Sequence, residues 1–233
     1  IQTIKENPDK HQDIYDHILV DEFQDVAMNQ IEMIKALTGP NSANLFCVGD
    51  DWQSIYGFRG AVVEYFINFE KNFGKPTKTL LTKNYRSTPS IVKTGNTLIK
   101  QNTSQTNKEL EAVKNDSKKP RIHTINDYTG HKYQENLAQH TAKIVQNYLD
   151  KGSKPEDIMI LSRLSSATKI TNLVEKKLKE KEINIQSGRK TGVEVMSAHS
   201  SKGRERKHVI LVHTVEEHSG FSPETNDTGL VNV

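Results

Sequence analysis

Short apolar runs separated by stretches with helical spacing are the feature that most restricts how this chain can fold. The runs are His17–Val20, Leu45–Val48, Thr79–Leu81, Arg121–Ile125, Ile158–Leu161, Val193–Met196 and His208–Val212. Most are apolar throughout rather than at alternate positions, and they are rich in Ile, Val and Leu. Continuous apolarity suits strands covered on both faces, as in a parallel sheet. Between them the patterns predict helices over Val26–Leu37, Ala61–Phe73, Pro89–Lys100, Tyr133–Leu149 and Ala167–Lys181. Thr88 is placed to N-cap the third, with Pro89 at its first helical position. The fourth is expected to end at Gly152, and the fifth sets Ile170, Leu173, Val174 and Leu178 on one face. Strand alternating with helix predicts a doubly wound α/β architecture. The polar stretch Asn102–Pro120 reads as an irregular excursion anchored by Leu110, Ala112 and Val113.

Composition narrows the class. Hydrophobic residues make up 34% of the 233, enough for a core and too many for wholesale disorder. No stretch approaches the ~18 apolar residues of a membrane span. Ile1 to Lys10 show neither a basic nor an apolar leader region, so no secretory leader is expected. Cys47 is the single cysteine, which excludes a disulfide scaffold and a cysteine-built zinc site. These features predict a soluble, intracellular protein. The net charge of +3 is unevenly spread: residues 1–79 hold 7 Lys/Arg against 12 Asp/Glu, and residues 80–233 hold 25 against 17. A basic later segment suits anionic ligands, and equally suits an ordinary solvated surface. The chain opens at Ile1 without an initiating Met, so a piece of a longer protein is expected.

Chemistry-bearing residues follow two of the strands. Asp21-Glu22-Phe23-Gln24-Asp25 comes directly after His17–Val20. Ligands in open α/β sheets bind beyond the carboxyl ends of the strands. Two adjacent carboxylates there can divide two tasks, Asp21 holding Mg²⁺ and Glu22 orienting or deprotonating a water. The alternative is an acidic turn that ends the strand. Leu45–Val48 leads into Gly49-Asp50-Asp51-Trp52-Gln53-Ser54-Ile55-Tyr56-Gly57-Phe58-Arg59-Gly60-Ala61. Gln53 there can sense a phosphate or an attacking water. Seven of the 15 aromatic residues fall between Trp52 and Phe73. Phe66, Phe69 and Phe73 share helical spacing with Val62 and are expected in the core. Trp52, Tyr56 and Phe58 precede that face, and stacking on bases and internal packing are both open to them.

Asp21–Asp25 together with Gly49–Ala61 resembles motifs II and III of the UvrD/Rep/PcrA-like superfamily 1 DNA helicases. Leu81–Ser87, with Asn84-Tyr85-Arg86-Ser87, resembles motif IV, Asp157–Arg163 resembles motif IVa, and Val195–Glu205 resembles motif V. The resemblance implies two RecA-like P-loop NTPase lobes with mainly parallel sheets. Residues 1–78 would be the C-terminal part of the first lobe, and residues 79–233 most of the second. It implies ATP and Mg²⁺ as cofactors. Asp21 would bind the metal, Glu22 would activate water and Gln53 would sense the γ-phosphate. Tyr85 would stack on adenine and Arg86 would reach the γ-phosphate. Lys202, Gly203 and Glu205 would line the nucleotide side. Tyr56, Phe58, Arg59, Arg163 and His199 would contact single-stranded DNA. The implied activity is ATP-driven translocation on single-stranded DNA and unwinding at duplex junctions, in this family usually 3′ to 5′, in the cytoplasm. A catalytically silent DNA-binding or scaffolding module and an RNA-directed motor are the competing readings.

Three departures accompany the resemblance. The 233 residues contain no GxxxxGK[ST] loop and no arginine-bearing motif VI. Ser87 and Val195 lie close enough in sequence to leave little or no room for a 2B insertion. Ser201 and Arg204 replace apolar family residues in motif V, so altered packing near Lys202 is expected. The chain by itself is therefore expected to hydrolyse ATP poorly.

Overall fold

The computed structural model describes residues 14–38, 44–125, 130–163, 169–186 and 191–214, with Ile4, Asn7, Lys10 and His11. The described residues fall into two compact units, one running to Pro120 and one starting at Arg121.

In the first unit, β1 (His17–Val20) pairs in parallel with β2 (Asn44–Cys47), joined through α1 (Met28–Thr38). Each strand turns alternate residues inward. Val20, Leu45 and Cys47 pack on Phe23, Val26, Ile31 and Ile34. Leu19 and Phe46 on the other face are exposed, so the expectation of strands covered on both faces does not hold here. The predicted helix over Ala61–Phe73 is two short pieces, α2 (Glu64–Ile67) and α3 (Phe69–Phe73), broken where Asn68 leaves helical geometry. Phe66, Phe69 and Phe73 do pack on Phe23, with ring centroids 5.7–6.2 Å apart. No strand forms at Thr79–Leu81, where Leu81 is 80% exposed. The strand lies two residues later, as β3 (Lys83–Asn84), pairing with β4 (Glu111–Ala112) inside the stretch expected to be irregular. Between them runs α4 (Pro89–Ile99), with Thr88 at its N-cap and Pro89 in the first turn.

In the second unit, α5 (Gly130–Asp150) is followed by a turn at Gly152, whose φ of +87° is the left-handed geometry that glycine adopts without strain. The all-parallel sheet has the order β6–β5–β7, with β5 (Ile158–Ser162), β6 (Glu194–Ser197) and β7 (His208–Leu211). Central β5 is buried at all five positions, as continuous apolarity predicts. Ile158 and Ile160 pack with Val145 of α5 and with Val174 and Leu178 of α6 (Lys169–Glu180). The expected strand at Arg121–Ile125 does not form, and Ile122 is 95% exposed. No described helix is long and apolar enough to cross a membrane.

Candidate active site

Parallel pairing sets the first cluster. Val20 and Cys47 are partners at the ends of β1 and β2, so the segments that follow leave the sheet side by side. The Val48 N–H donates to Val20 O and the Phe23 N–H to Val48 O, both 2.9 Å, and these bonds stitch the two exits together. Asp21 and Glu22 are exposed at this edge. Glu22 adopts φ 51°, ψ 43°, left-handed geometry that is strained for a residue with a side chain. Its N–H donates to Asp21 Oδ1 (2.8 Å) and its Oε2 accepts from Gln24 Nε2 (2.5 Å).

Asp50 organises the neighbouring loop. Its Oδ1 accepts the Trp52 N–H (3.1 Å) and so caps the turn Asp51–Gln53. Its Oδ2 accepts from Gln53 Nε2 (2.6 Å), which holds the exposed Gln53 side chain against the turn. Lys108 Nζ lies 2.6 Å from Asp50 Oδ1 and 3.1 Å from Asp51 Oδ1, and sits 4.8 Å from the Trp52 ring centroid. Trp52 is buried and donates its indole N–H to Thr106 O (3.3 Å), so of the two roles open to it the structure gives packing. Tyr56 and Phe58 instead meet edge to face at 6.2 Å, with the Arg59 guanidinium 5.0 and 5.5 Å from their centroids. Phe58 is more than half exposed. An exposed pair of rings set edge to face beside a cation is an arrangement that can receive a planar base and its phosphate.

Asn84 shapes the next segment. Its Oδ1 accepts the N–H groups of Arg86 (3.0 Å) and Ser87 (2.8 Å), an Asx turn that leaves the Tyr85 and Arg86 side chains exposed. Lys114 Nζ donates to Arg86 O (2.5 Å) and fixes the same turn from β4's side.

In the second unit, Ser162 of β5 is the partner of Ser197 of β6, and the Ala198 N–H donates to Ser162 O (2.7 Å). Arg163 and His199 therefore leave the sheet at one edge. A single turn, His199–Ser201, is closed by Ser197 Oγ accepting the Ser200 N–H (3.1 Å). Lys202 and Gly203 follow, and Gly203 has φ +76°. Ser201 donates its hydroxyl to Ala198 O (2.7 Å), so its polar group is absorbed within the turn. Arg204 is not buried in an apolar pocket. Its Nη1 lies 3.0 Å from Glu194 Oε1, which also receives Arg206 Nη2 at 2.8 Å. The carboxylate of Glu194 is buried, and its Oε2 and Arg206 Nε have no hydrogen-bond partner among the described residues. The altered residue is thus matched by an acidic one at the start of β6. Glu205, between the two arginines, is exposed.

Sequence reasoning missed Gln24, Lys108 and Asn84 as organisers of these loops. Gln24 had a signal, a polar residue between Phe23 and Val26 that the structure buries completely. Lys108 had none, because it sits in a stretch that reads as solvated loop. Burial pushes the Cys47 thiol up to about 11, which leaves it protonated and unreactive at neutral pH.

Among the described residues no group of three or more His, Cys, Asp or Glu side chains converges. Exposed Asp21 beside the strand end fits the mode in which Mg²⁺ takes one carboxylate and completes its shell with substrate phosphates and water.

Known proteins match along most of the chain. The UvrD/REP helicase N-terminal domain matches residues 2–74, and the UvrD-like helicase C-terminal domain matches residues 79–192. DNA helicase IV of Escherichia coli is 32% identical over 209 residues, 88% of this chain and 27% of that protein. DNA helicase II of Haemophilus influenzae is 36% identical over 163 residues, 69% of this chain and 21% of that protein. PcrA of Staphylococcus aureus is 30% identical over 169 residues, 72% of this chain and 22% of that protein. The chain thus spans between about a fifth and a quarter of the length of these relatives.

Proposed function

The chain belongs to the UvrD-like helicase family, whose lobes are RecA-like, and from that premise we propose that it supplies parts of both lobes of an ATP-driven DNA motor. Residues 1–78 are the first-lobe part and residues 79–233 the second-lobe part. The observation that carries the reading is the adjacent parallel exit of β1 and β2, which delivers Asp21-Glu22 and Asp50–Gln53 to one edge.

In this reading Asp21 holds Mg²⁺, which when bound neutralises the β- and γ-phosphate charge. Glu22 takes a proton from the attacking water. Gln53 contacts the γ-phosphate and reports its presence to the aromatic platform. Tyr85 stacks on the adenine. Arg86 brings positive charge to the transferring phosphoryl group. Lys202, Gly203 and Glu205 line the nucleotide from the second lobe. Tyr56, Phe58 and Arg59 bind single-stranded DNA, Arg163 contacts its backbone, and His199 lies towards it. Loss of the γ-phosphate removes its contacts with Gln53 and Arg86, and so changes the grip of the aromatic platform on the strand. Movement runs 3′ to 5′. The 233 residues alone turn over ATP poorly, since they carry no GxxxxGK[ST] loop.

The test is DNA-stimulated ATP hydrolysis and tailed-duplex unwinding by the polypeptide at its full natural length. Glu22→Gln is expected to abolish turnover and to keep ATP binding. Unchanged unwinding in that variant removes Glu22 from its role. Absence of any hydrolysis in the wild type favours a silent scaffold instead.

A further inference from the structure

Gln24 is fully buried, yet both ends of its side chain are in use. Its Oε1 accepts the backbone N–H of Asp50 at 2.9 Å, and its Nε2 donates to Glu22 Oε2 at 2.5 Å. A backbone N–H can only donate, so the amide oxygen must face Asp50 and the amide nitrogen must face Glu22. The orientation is not a free choice. Ser54 Oγ also donates to Gln24 O at 3.4 Å. Gly49 keeps the space open, because a Cβ there would lie 2.6 Å from Gln24 Oε1.

The same amide joins two loops. Asp50, held through its N–H, holds the Gln53 side chain through Oδ2 and is fixed in turn by Lys108. A continuous hydrogen-bonded path therefore runs Glu22–Gln24–Asp50–Gln53, and the loop beyond it bears Tyr56, Phe58 and Arg59. Glu22 sits in strained left-handed geometry, which persists only where the surroundings over-determine it. The Gln24 bond is one such determinant, and a carboxylate acceptor makes it a strong one.

We propose that Gln24 is a positioning residue for ATP hydrolysis: it orients Glu22 and ties that carboxylate to the loop carrying Gln53 and the aromatic platform. The proposal rests on the role given to Glu22 above. It predicts a defect in turnover rather than in nucleotide binding, because Gln24 is buried behind the carboxylate it orients.

The experiment compares wild type, Gln24→Met, Gln24→Glu and Glu22→Gln in the polypeptide at its full natural length. The readouts are steady-state ATP hydrolysis with and without single-stranded DNA, and binding of a non-hydrolysable ATP analogue. Gln24→Met is expected to lower the DNA-stimulated kcat roughly 10- to 100-fold with KM for ATP within about twofold. The fold-stimulation by DNA should shrink as well, since the link to the platform loop is cut. Gln24→Glu keeps the length and the acceptor facing Asp50 while removing the amide donor facing Glu22, and serves if the methionine variant does not fold. A merely structural role would lower stability and analogue binding together and leave the kcat of folded protein intact. Wild-type kcat and DNA stimulation in either folded variant overturns the proposal. Retained turnover in Glu22→Gln overturns the base assignment instead, so the two failures are separable.

Discussion

In the unit beginning at Arg121, β5 is buried at every residue and helices α5 and α6 close over it with Val145, Val174 and Leu178. In the unit ending at Pro120, β1 and β2 are half-buried at alternate residues and exposed at the others, and buried polar side chains lie behind the motif loops: Gln24, Asp51 and Ser54. Hydrogen bonds fix the functional loops of both units, but only the second stands them on a strand buried at every position, while in the first a single buried amide, Gln24, ties two loops together. Apolar packing tolerates conservative exchange, whereas a buried polar network depends on every partner being present. The difference teaches where single substitutions will act: on stability in the second unit, on loop geometry in the first.

The largest contrast should come from strand leucines and isoleucines. Ile160→Ala, at a fully buried site, is expected to cost about 2–5 kcal/mol in chemical denaturation. Leu19→Ala, on the exposed face of β1, should stay within about 0.5 kcal/mol. Equal costs would break the comparison by showing that the outer face of β1 is covered in the protein. Next in size is Gly49→Ala, where the added methyl meets Gln24 Oε1 at 2.6 Å and Phe66 Cε2 at 2.8 Å. About 1–3 kcal/mol of destabilisation is expected, with a fall in ATP turnover larger than the stability change alone would cause. Arg204→Leu removes one of two cations from buried Glu194 and should cost about 1 kcal/mol. A stabilising result would mean that the apolar family residue suits this site better. The smallest effect concerns His140, whose pKa is held below the usual histidine value by burial, then by the charges of His123 and Lys143. The folded state favours the neutral ring, so stability present at neutral pH is lost as pH falls below about 6.5. Thermal midpoints at pH 5.5 and 7.5 should differ less in His140→Gln, by about 1–2 °C.

Much of the architecture was legible because β-branched runs and helical spacing report burial directly. Ile158–Leu161 and the α6 stripe at Ile170, Val174 and Leu178 are the clearest cases. Thr79–Leu81 and Arg121–Ile125 misled for the same reason: Leu80, Leu81 and Ile122 lie on the surface, and only Ile125 packs on the core. β4 was invisible, since Glu111–Ala112 pairs by backbone alone in a polar stretch. At the site, residue types and order pointed to the chemistry. The supports did not show themselves, because Lys108 reaches Asp50 across 58 residues of sequence and a lysine in a loop has no local signature of burial. Arg204 looked like an intrusion until its partner Glu194, ten positions earlier, was seen beside it.

The central claim is that Glu22 and Arg86 serve one triphosphate. The most direct measurement is an experimental structure of the polypeptide at its full natural length with single-stranded DNA, Mg²⁺ and an ATP transition-state analogue. The account predicts the Glu22 carboxylate and the Arg86 guanidinium both within direct or one-water hydrogen-bond reach, ~3–5 Å, of the γ-phosphate mimic. A bound nucleotide approached by only one of them, with the other turned to a remote surface, would contradict it.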